Sequence, residues 1–272
     1  MENHAAKRDR NHTMNKAIFL AVLAAAIFLG ACVVTRSASE NDAQPEGISV
    51  MRHTDDLAVM DTLEKFNNPD NFFSTRKNFD IATFRKNAGS SSDYNFVRED
   101  GVHVRQIDFS ELNNEKLRGY KEEFTRPDSH YRYSIMYTSN GLLSVMGADF
   151  CRNYAKEILH FDERGNIVKR KNVEGQFLPI EKLRKRFLEE KKIDIFNTET
   201  VVLVQRQEYE EGKEYYDIYV RNEPGSPRLT AYLLDALTGE FIFQAEAYRG
   251  RGIGPSAYNA YKEHLKSIGK TP

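Results

Sequence analysis

Two cysteines, seven histidines and several paired carboxylates are the residues of this 272-residue chain best equipped to do chemistry. Cys32 closes the stretch Leu29-Gly30-Ala31-Cys32, at the end of an uncharged run from Ala17 that follows Lys7, Arg8, Arg10 and Lys16. A basic opening, an apolar run and small residues before a cut site describe a secretory signal. Here the residue after the small pair is a thiol. The other cysteine, Cys151, would need a base such as His160 or His130 to act as a nucleophile. Its surroundings, Asp149-Phe150-Cys151-Arg152-Asn153, lack elbow glycines and a helix N-terminus to lower the thiol pKa. It reads as a small buried hydrophobe.

The remaining chemistry is sparse. His4, His12, His53, His103, His130, His160 and His264 form no His-x-His or His-x3-His pair, so no metal ligand set is expected. No Gly-x-Ser-x-Gly elbow occurs. The pairs Glu122-Glu123, Glu189-Glu190 and Glu210-Glu211 fall in polar runs, where charge is normally solvated. No catalytic, cofactor-binding or metal residue is therefore expected.

Composition fits an exported globular body. Charged residues make up 29% and hydrophobic ones 40%, and no apolar run after the first is long enough to span a membrane. Removing the basic first segment leaves a mildly acidic remainder, which argues against nucleic acid as a partner.

The elements that would position any site follow from periodicity. Residues 33–50 are polar, with Pro45 and Gly47, and read as a tether. Leu57, Val59, Met60, Leu63 and Phe66 recur at helical spacing, ended by Asn67-Asn68-Pro69-Asp70. Phe72, Phe73, Phe79, Ile81 and Phe84 require burial. The period then changes to two. Tyr94–Phe109 forms a hairpin about Asp100-Gly101, and Tyr131–Val145 a second about Asn140-Gly141. Tyr154–Phe161 pairs with Ile167–Lys171 across Gly165-Asn166, and residues 110–130 read as a short helix or long connection.

In the last third, Pro179-Ile180-Glu181 opens a helix with Ile180, Leu183, Phe187 and Leu188 on one face. Strands Val201–Tyr209, Tyr215–Arg221, Leu229–Leu234 and Glu240–Gln244 follow, then a closing helix over Ser256–Ile268 after the basic loop from Arg249. In the turn Asp235-Ala236-Leu237-Thr238-Gly239-Glu240, Asp235 caps through its carboxylate, Gly239 takes a positive φ, and Phe241 and Phe243 return inward.

Two resemblances sharpen this reading. Leu29-Gly30-Ala31-Cys32 resembles the lipobox of bacterial lipoproteins. That resemblance implies recognition of Leu29, Gly30 and Ala31 by signal peptidase II, cleavage before Cys32, and lipid on the Cys32 thiol. Translation from Met14 would give the more ordinary, shorter basic opening. An uncleaved anchor is the rival, but Ala17–Gly30 reaches only about 21 Å as a helix, short of the ~30 Å hydrocarbon core. Val33, in the place where Asp retains enterobacterial lipoproteins in the inner membrane, implies the periplasmic face of the outer membrane.

The segment from about residue 178 to 246, with its tyrosine-rich middle strand and Asp-Ala-x-Thr-Gly-Glu ending, resembles a PepSY-type domain. This implies a small extracytoplasmic α+β module that binds peptides or restrains proteases, without catalytic residues of its own. Pro224 and Pro227 lengthen one loop beyond that pattern.

The expected architecture is α+β: a signal peptide at 1–31, a lipidated cysteine and tether at 32–52, a region of antiparallel hairpins at 53–176, a PepSY-like helix-plus-sheet domain at 177–248, and a basic loop and helix at 249–272. The expected function is a non-enzymatic, lipid-anchored envelope protein, held to the membrane by Cys32, that binds a protein or peptide. The alternatives are an immunity or protease-inhibitor lipoprotein that neutralises a secreted toxin or hydrolase, and a signal-anchored thiol hydrolase using Cys151.

Overall fold

Alternation of apolar residues with period two builds two sheets, antiparallel but for one short strand, among the described residues. A computed structural model describes residues 49–51, 62–75, 77–112, 114, 118–151, 153–249 and 256–270. The signal segment with Leu29, Gly30, Ala31 and Cys32, most of the tether, the early part of the expected first helix and most of the basic loop lie outside the described residues. Among the described residues no helix is long and apolar enough to cross a membrane.

The first sheet runs in sequence order. A short strand β1 (Ser49–Met51) lies parallel to β2 (Asp93–Arg98). From β2 the meander is antiparallel throughout: β3 (His103–Asp108), β4 (Tyr120–Thr125), β5 (Tyr131–Tyr137), β6 (Leu143–Phe150), β7 (Asn153–Phe161) and β8 (Ile167–Asn172). The three expected hairpins form at the expected turns. Gly101 sits at φ +78° and Gly141 at +77°. At Gly141 a Cβ would also lie 2.8 Å from the Phe79 carbonyl, so the Asn-Gly turn doubles as the seat for the chain entering the next helix.

Three short helices cover one face of this sheet: α1 (Leu63–Phe66), α2 (Pro69–Ser74) and α3 (Ile81–Ala88). Asn67-Asn68-Pro69-Asp70 does end a helix, but it also starts one. The Asn68 side chain accepts from the Asp70 N–H at 3.0 Å, and Pro69 takes the first helical position, where no N–H is needed. Phe66, Phe72, Phe73, Phe79 and Phe84 are all buried on this face. Phe72 stacks on Tyr133 at 4.3 Å between centroids, and the Tyr133 hydroxyl donates to the Phe66 carbonyl.

One strand departs from the sequence reading. The stretch expected to be a helix or connection holds β4, the third strand of the antiparallel meander, and its Lys121, Glu122 and Glu123 are only 2%, 4% and 6% exposed. Buried charge on a strand breaks the apolar alternation by which strands are recognised. It is tolerated because each group is met. Lys121 Nζ lies 2.6 Å from Glu123 Oε1. Gln106 Nε2 donates to Glu122 Oε1 at 2.8 Å, and Tyr137 donates to its other oxygen.

The second sheet has the order β12-β11-β10-β9, from β9 (Val201–Glu210), β10 (Lys213–Arg221), β11 (Arg228–Asp235) and β12 (Phe241–Tyr248). Helix α4 (Ile180–Lys191) packs Ile180, Leu183 and Phe187 toward one face, and α5 (Ala257–Ser267) packs on the other through Ala257 and Tyr258. Strand β10 is therefore buried on both sides. Tyr216, Ile218 and Val220 join the cluster with α4, and Tyr215 and Tyr219 join that with α5.

The expected turn is present. Asp235 Oδ1 accepts from the Leu237 and Thr238 N–H groups at 3.0 and 2.8 Å, and Gly239 has φ +70°. The inward return of both phenylalanines is corrected. A bulge shifts the β11–β12 register between Leu233 and Leu234. Phe241 thus faces α4, 5.0 Å from Phe187, while Phe243 faces α5, 5.6 Å from Tyr261.

A single apolar cluster runs from Phe66 through Tyr133, Phe150 and Phe196 to Phe187, Leu234 and Ala236. The described residues from Ser49 onward form one compact unit, in which the hairpin region and the helix-plus-sheet module share this core.

Candidate functional site

A cleft of about 600 Å³ opens where α1, the α1–α2 junction, the first residues of β5 and β7, and the start of α4 meet. That volume suits a side chain or a short peptide segment. Tyr131 and Phe196 form its floor, with ring centroids 5.5 Å apart and edge to face. Leu63, Glu64, Pro69 and Asp70 line it from α1 and α2, Lys156 from β7, and Glu174, Glu181 and Arg184 from α4 and the residues before it.

Local backbone chemistry sets each of these side chains. Lys156 has φ +62°, in the left-handed region, where the β6–β7 register slips between Gly147 and Ala148. This bulge re-aims the lysine, and its Nζ pairs with Asp70. Glu174 follows β8, and its Oε1 accepts from the Ile180 N–H at 3.2 Å, capping the start of α4. Pro179, at the cap position itself, makes no side-chain bond. Glu181 lies in the first turn of α4 and accepts the Tyr131 hydroxyl at 3.2 Å. One turn on, Arg184 is held by both oxygens of Asp194 at 2.8 and 2.7 Å, with its guanidinium carbon 4.2 Å from the Phe196 ring centre.

The electrostatics follow. Burial pushes the Glu181 carboxyl above the usual range, and neighbouring Glu174 adds to that, against the pull of Tyr131, Arg184 and Lys156. Burial also holds the Tyr131 phenol far above its ordinary value, with Glu181 as a further cause, so it remains a donor. Asp194 is held below the carboxylate range by Arg184.

Of the two bases considered for the alternative thiol chemistry, the structure sets His130 beside Cys151 and His160 far along β7. Cys151 sits half-buried at the apex between β6 and β7, with φ +48°, and its N–H donates to the His130 carbonyl at 3.0 Å. His160 lies nine residues further along β7, about 30 Å away at the rise of a strand. The His130 ring packs on Phe150 at 5.6 Å, and burial lowers its pKa. His103 is exposed on β3. Among the described residues no group of three or more His, Cys, Asp or Glu side chains is placed to hold a metal ion.

Of the paired carboxylates, Glu122 and Glu123 are buried in β4, which corrects their reading as solvated. Glu189 and Glu190 are exposed on α4, and Glu210 accepts from the Tyr258 hydroxyl at 2.6 Å. Tyr131, Lys156, Glu174 and Glu181 carried no signal as site residues. Only the bulge in β7 and the folding of α4 against the first sheet bring them together.

No known protein family, curated protein or solved structure matches the chain.

Proposed function

We propose that this chain is a lipid-anchored envelope protein without catalytic activity, which holds a protein or peptide partner in the cleft above Tyr131 and Glu181. The observation that carries this reading is the cleft itself. It is large enough for a side chain with its flanking backbone, and both the hairpin region and the helix-plus-sheet module line it. Lipid on Cys32, after cleavage behind Ala31, places this body at the membrane surface, on the periplasmic face of the outer membrane. The segment 177–248 is read as PepSY-like. Its β10 tyrosines, buried on both faces, and the Asp235-capped turn support that assignment.

A second reading has its own support: the cleft wall is richer in carboxylates than in cations, as suits an immunity or protease-restraining protein meeting a basic partner surface. The two readings share one test. A photo-crosslinking residue replaces Leu63, 37% exposed at the cleft rim, or Ile268, 50% exposed at the end of α5, in the full chain in its own envelope. Partner binding in the cleft gives a discrete adduct from position 63 that is lost in Glu181→Gln and absent from position 268. Equal labelling from both positions contradicts it. A secreted hydrolase in the adduct selects the inhibitory reading.

A further inference from the structure

We propose that the outer edge of the first sheet, at β8, is the side this protein lays on an anionic phospholipid surface, with Val168, Lys169 and Lys171 as the contact. This rests on the lipid-anchored reading above and adds which side of the body meets the bilayer.

Strand β8 ends the first sheet and is paired on one side only. Val168, Lys169, Arg170, Lys171 and Asn172 are all exposed, Val168 at 63%. A shift in the β7–β8 register leaves Val168 without a partner on β7, at the free edge. The pairing sets Lys169 opposite His160 and Lys171 opposite Ile158, so both lysines and the histidine share one face. Arg170 pairs with Glu157 at 2.8 Å. Neither lysine has a carboxylate within ion-pair distance among the described residues. Burial and the two lysine charges hold the His160 ring below its ordinary pKa, as unrelieved positive charge would. Inward from His160 the same face continues into half-buried apolar side chains, Val145 and then Met136.

Lysines on an edge strand have a simpler use, which is to keep other chains from pairing with it. That use asks for charge alone, and an exposed valine weakens it. Cations with an apolar side chain at the rim fit the headgroup layer, where phosphates meet the ammonium groups and Val168 meets the acyl boundary. Lys169 and Lys171 stand about 7 Å apart at the rise of a strand, and each stem can lie along the sheet while its head reaches a phosphate. The anchor can act at the same time. The tether joins the sheet at β1, and eight strands leave seven spacings of about 4.8 Å, about 34 Å in all, to β8. The sixteen residues between Cys32 and Ser49 reach about 55 Å when extended. Leu159, between Ile158 and His160, packs in the core under the helices, so the lysines lie on the opposite face. The contact therefore turns the cleft lined by α1 and α2 away from the bilayer.

The test uses the full chain in nanodiscs of phosphatidylglycerol or of phosphatidylcholine, with the acetylation rate of each lysine read by mass spectrometry. Lys169 and Lys171 should react about fivefold or more slowly in the anionic discs, the factor one lysine contributes at an anionic surface. Lys185 on α4, its side chain 77% exposed, should react equally in both, and high salt should abolish the difference. A photo-crosslinking residue at Val168 should give a phospholipid adduct in the anionic discs that falls about fivefold or more in Lys169→Gln with Lys171→Gln. Equal rates in the two discs, with acyl chains on the intact mass, overturn this inference while the lipid-anchored reading stands. Slowing by polyglutamate added to phosphatidylcholine discs, without slowing in the anionic discs, also overturns it and assigns the edge to an acidic protein. An intact mass without acyl chains overturns the anchored reading and the orientation that rests on it.

Discussion

Asn153 completes the edge of β9 with its side chain: its Nδ2 donates to the Val204 carbonyl, and its Oδ1 accepts the Arg206 N–H, each at 2.6 Å. An amide side chain here stands in for a strand. It joins the first residue of β7 to the outer strand of the second sheet and satisfies two backbone groups that an edge otherwise leaves open. Arg206 adds to the junction, donating to the Val173 carbonyl at 3.2 Å and lying 4.5 Å over the Phe177 ring.

Asn153→Ala should therefore destabilise the protein by about 2–3 kcal/mol, because it strips partners from both a carbonyl and an N–H. Asn153→Asp keeps the acceptor for Arg206 but turns a carboxylate oxygen on the Val204 carbonyl, so it should recover none of that loss. Urea denaturation measures both. Equal stability of Asn153→Ala and wild type would show that the sheets are joined by apolar packing alone.

At the β11–β12 turn, Gly239 combines a φ of +70° with a Cβ position 2.4 Å from Leu178 Cδ2. The Leu178 backbone is held, its N–H donating to the Ala236 carbonyl and its carbonyl accepting from Tyr216, each at 2.8 Å, so only rotation of its side chain can relieve that contact. Gly239→Ala should cost about 2 kcal/mol or more, through backbone strain and the clash together. Asp235→Ala, which loses a turn cap only, should cost about 1 kcal/mol. Thermal melts that rank the two in the opposite order would contradict this reading of the turn.

Much of the fold was legible for local reasons. The hairpins announce themselves through Asp100-Gly101, Asn140-Gly141 and Gly165-Asn166, and the capped turn through Asp235 and Gly239, because each needs particular side chains at the bend. What was illegible depends on contacts distant in sequence. The burial of Lys121, Glu122 and Glu123 makes sense only once Gln106 and Tyr137 lie on neighbouring strands. The bulge that sends Phe241 and Phe243 to opposite faces has no residue signature, nor has the one that turns Lys156 into the cleft. The cleft residues come from α1, β5, β7 and α4, and no spacing rule links Tyr131 to Glu181, fifty positions apart.

The buried pair in β4 gives a third test. Lys121→Met alone should destabilise the protein by about 3 kcal/mol, since among the described residues it leaves Glu123 buried with only Arg105, at 3.6 Å, to meet it. Lys121→Met with Glu123→Leu should recover much of that loss, because apolar pairs of similar volume replace buried ion pairs at little cost. A double variant as unstable as the sum of the singles would mean the two charges do not interact. Double-mutant cycles in urea supply the number.

Asp217 predicts a pH dependence. It is 1% exposed on β10, accepts the Tyr209 hydroxyl, and lies beneath the first N–H groups of α5, at Ala257 and Tyr258. Burial raises its carboxyl above the ordinary value near 3.8, against the pull of the Tyr209 hydroxyl and of those N–H groups. The folded chain thus binds this proton more tightly than the unfolded chain. The stability it contributes is fully present below the unfolded value and is lost as pH rises through the folded one. Asp217→Asn, which cannot ionise, should gain on wild type in denaturation midpoints as pH rises from about 4. A constant difference between the two proteins across that range would exclude the shift.

The central claim, a binding cleft presented on a lipid-anchored body, depends first on Cys32. The most direct measurement is the intact mass of membrane-derived wild type beside Cys32→Ser, with detergent partitioning of both. A lipoprotein gives a wild-type mass that begins at residue 32 and carries acyl chains, partitioning with detergent, and loses both features in the variant. An unprocessed mass in both proteins would contradict it and leave a signal-anchored chain in place of a lipoprotein.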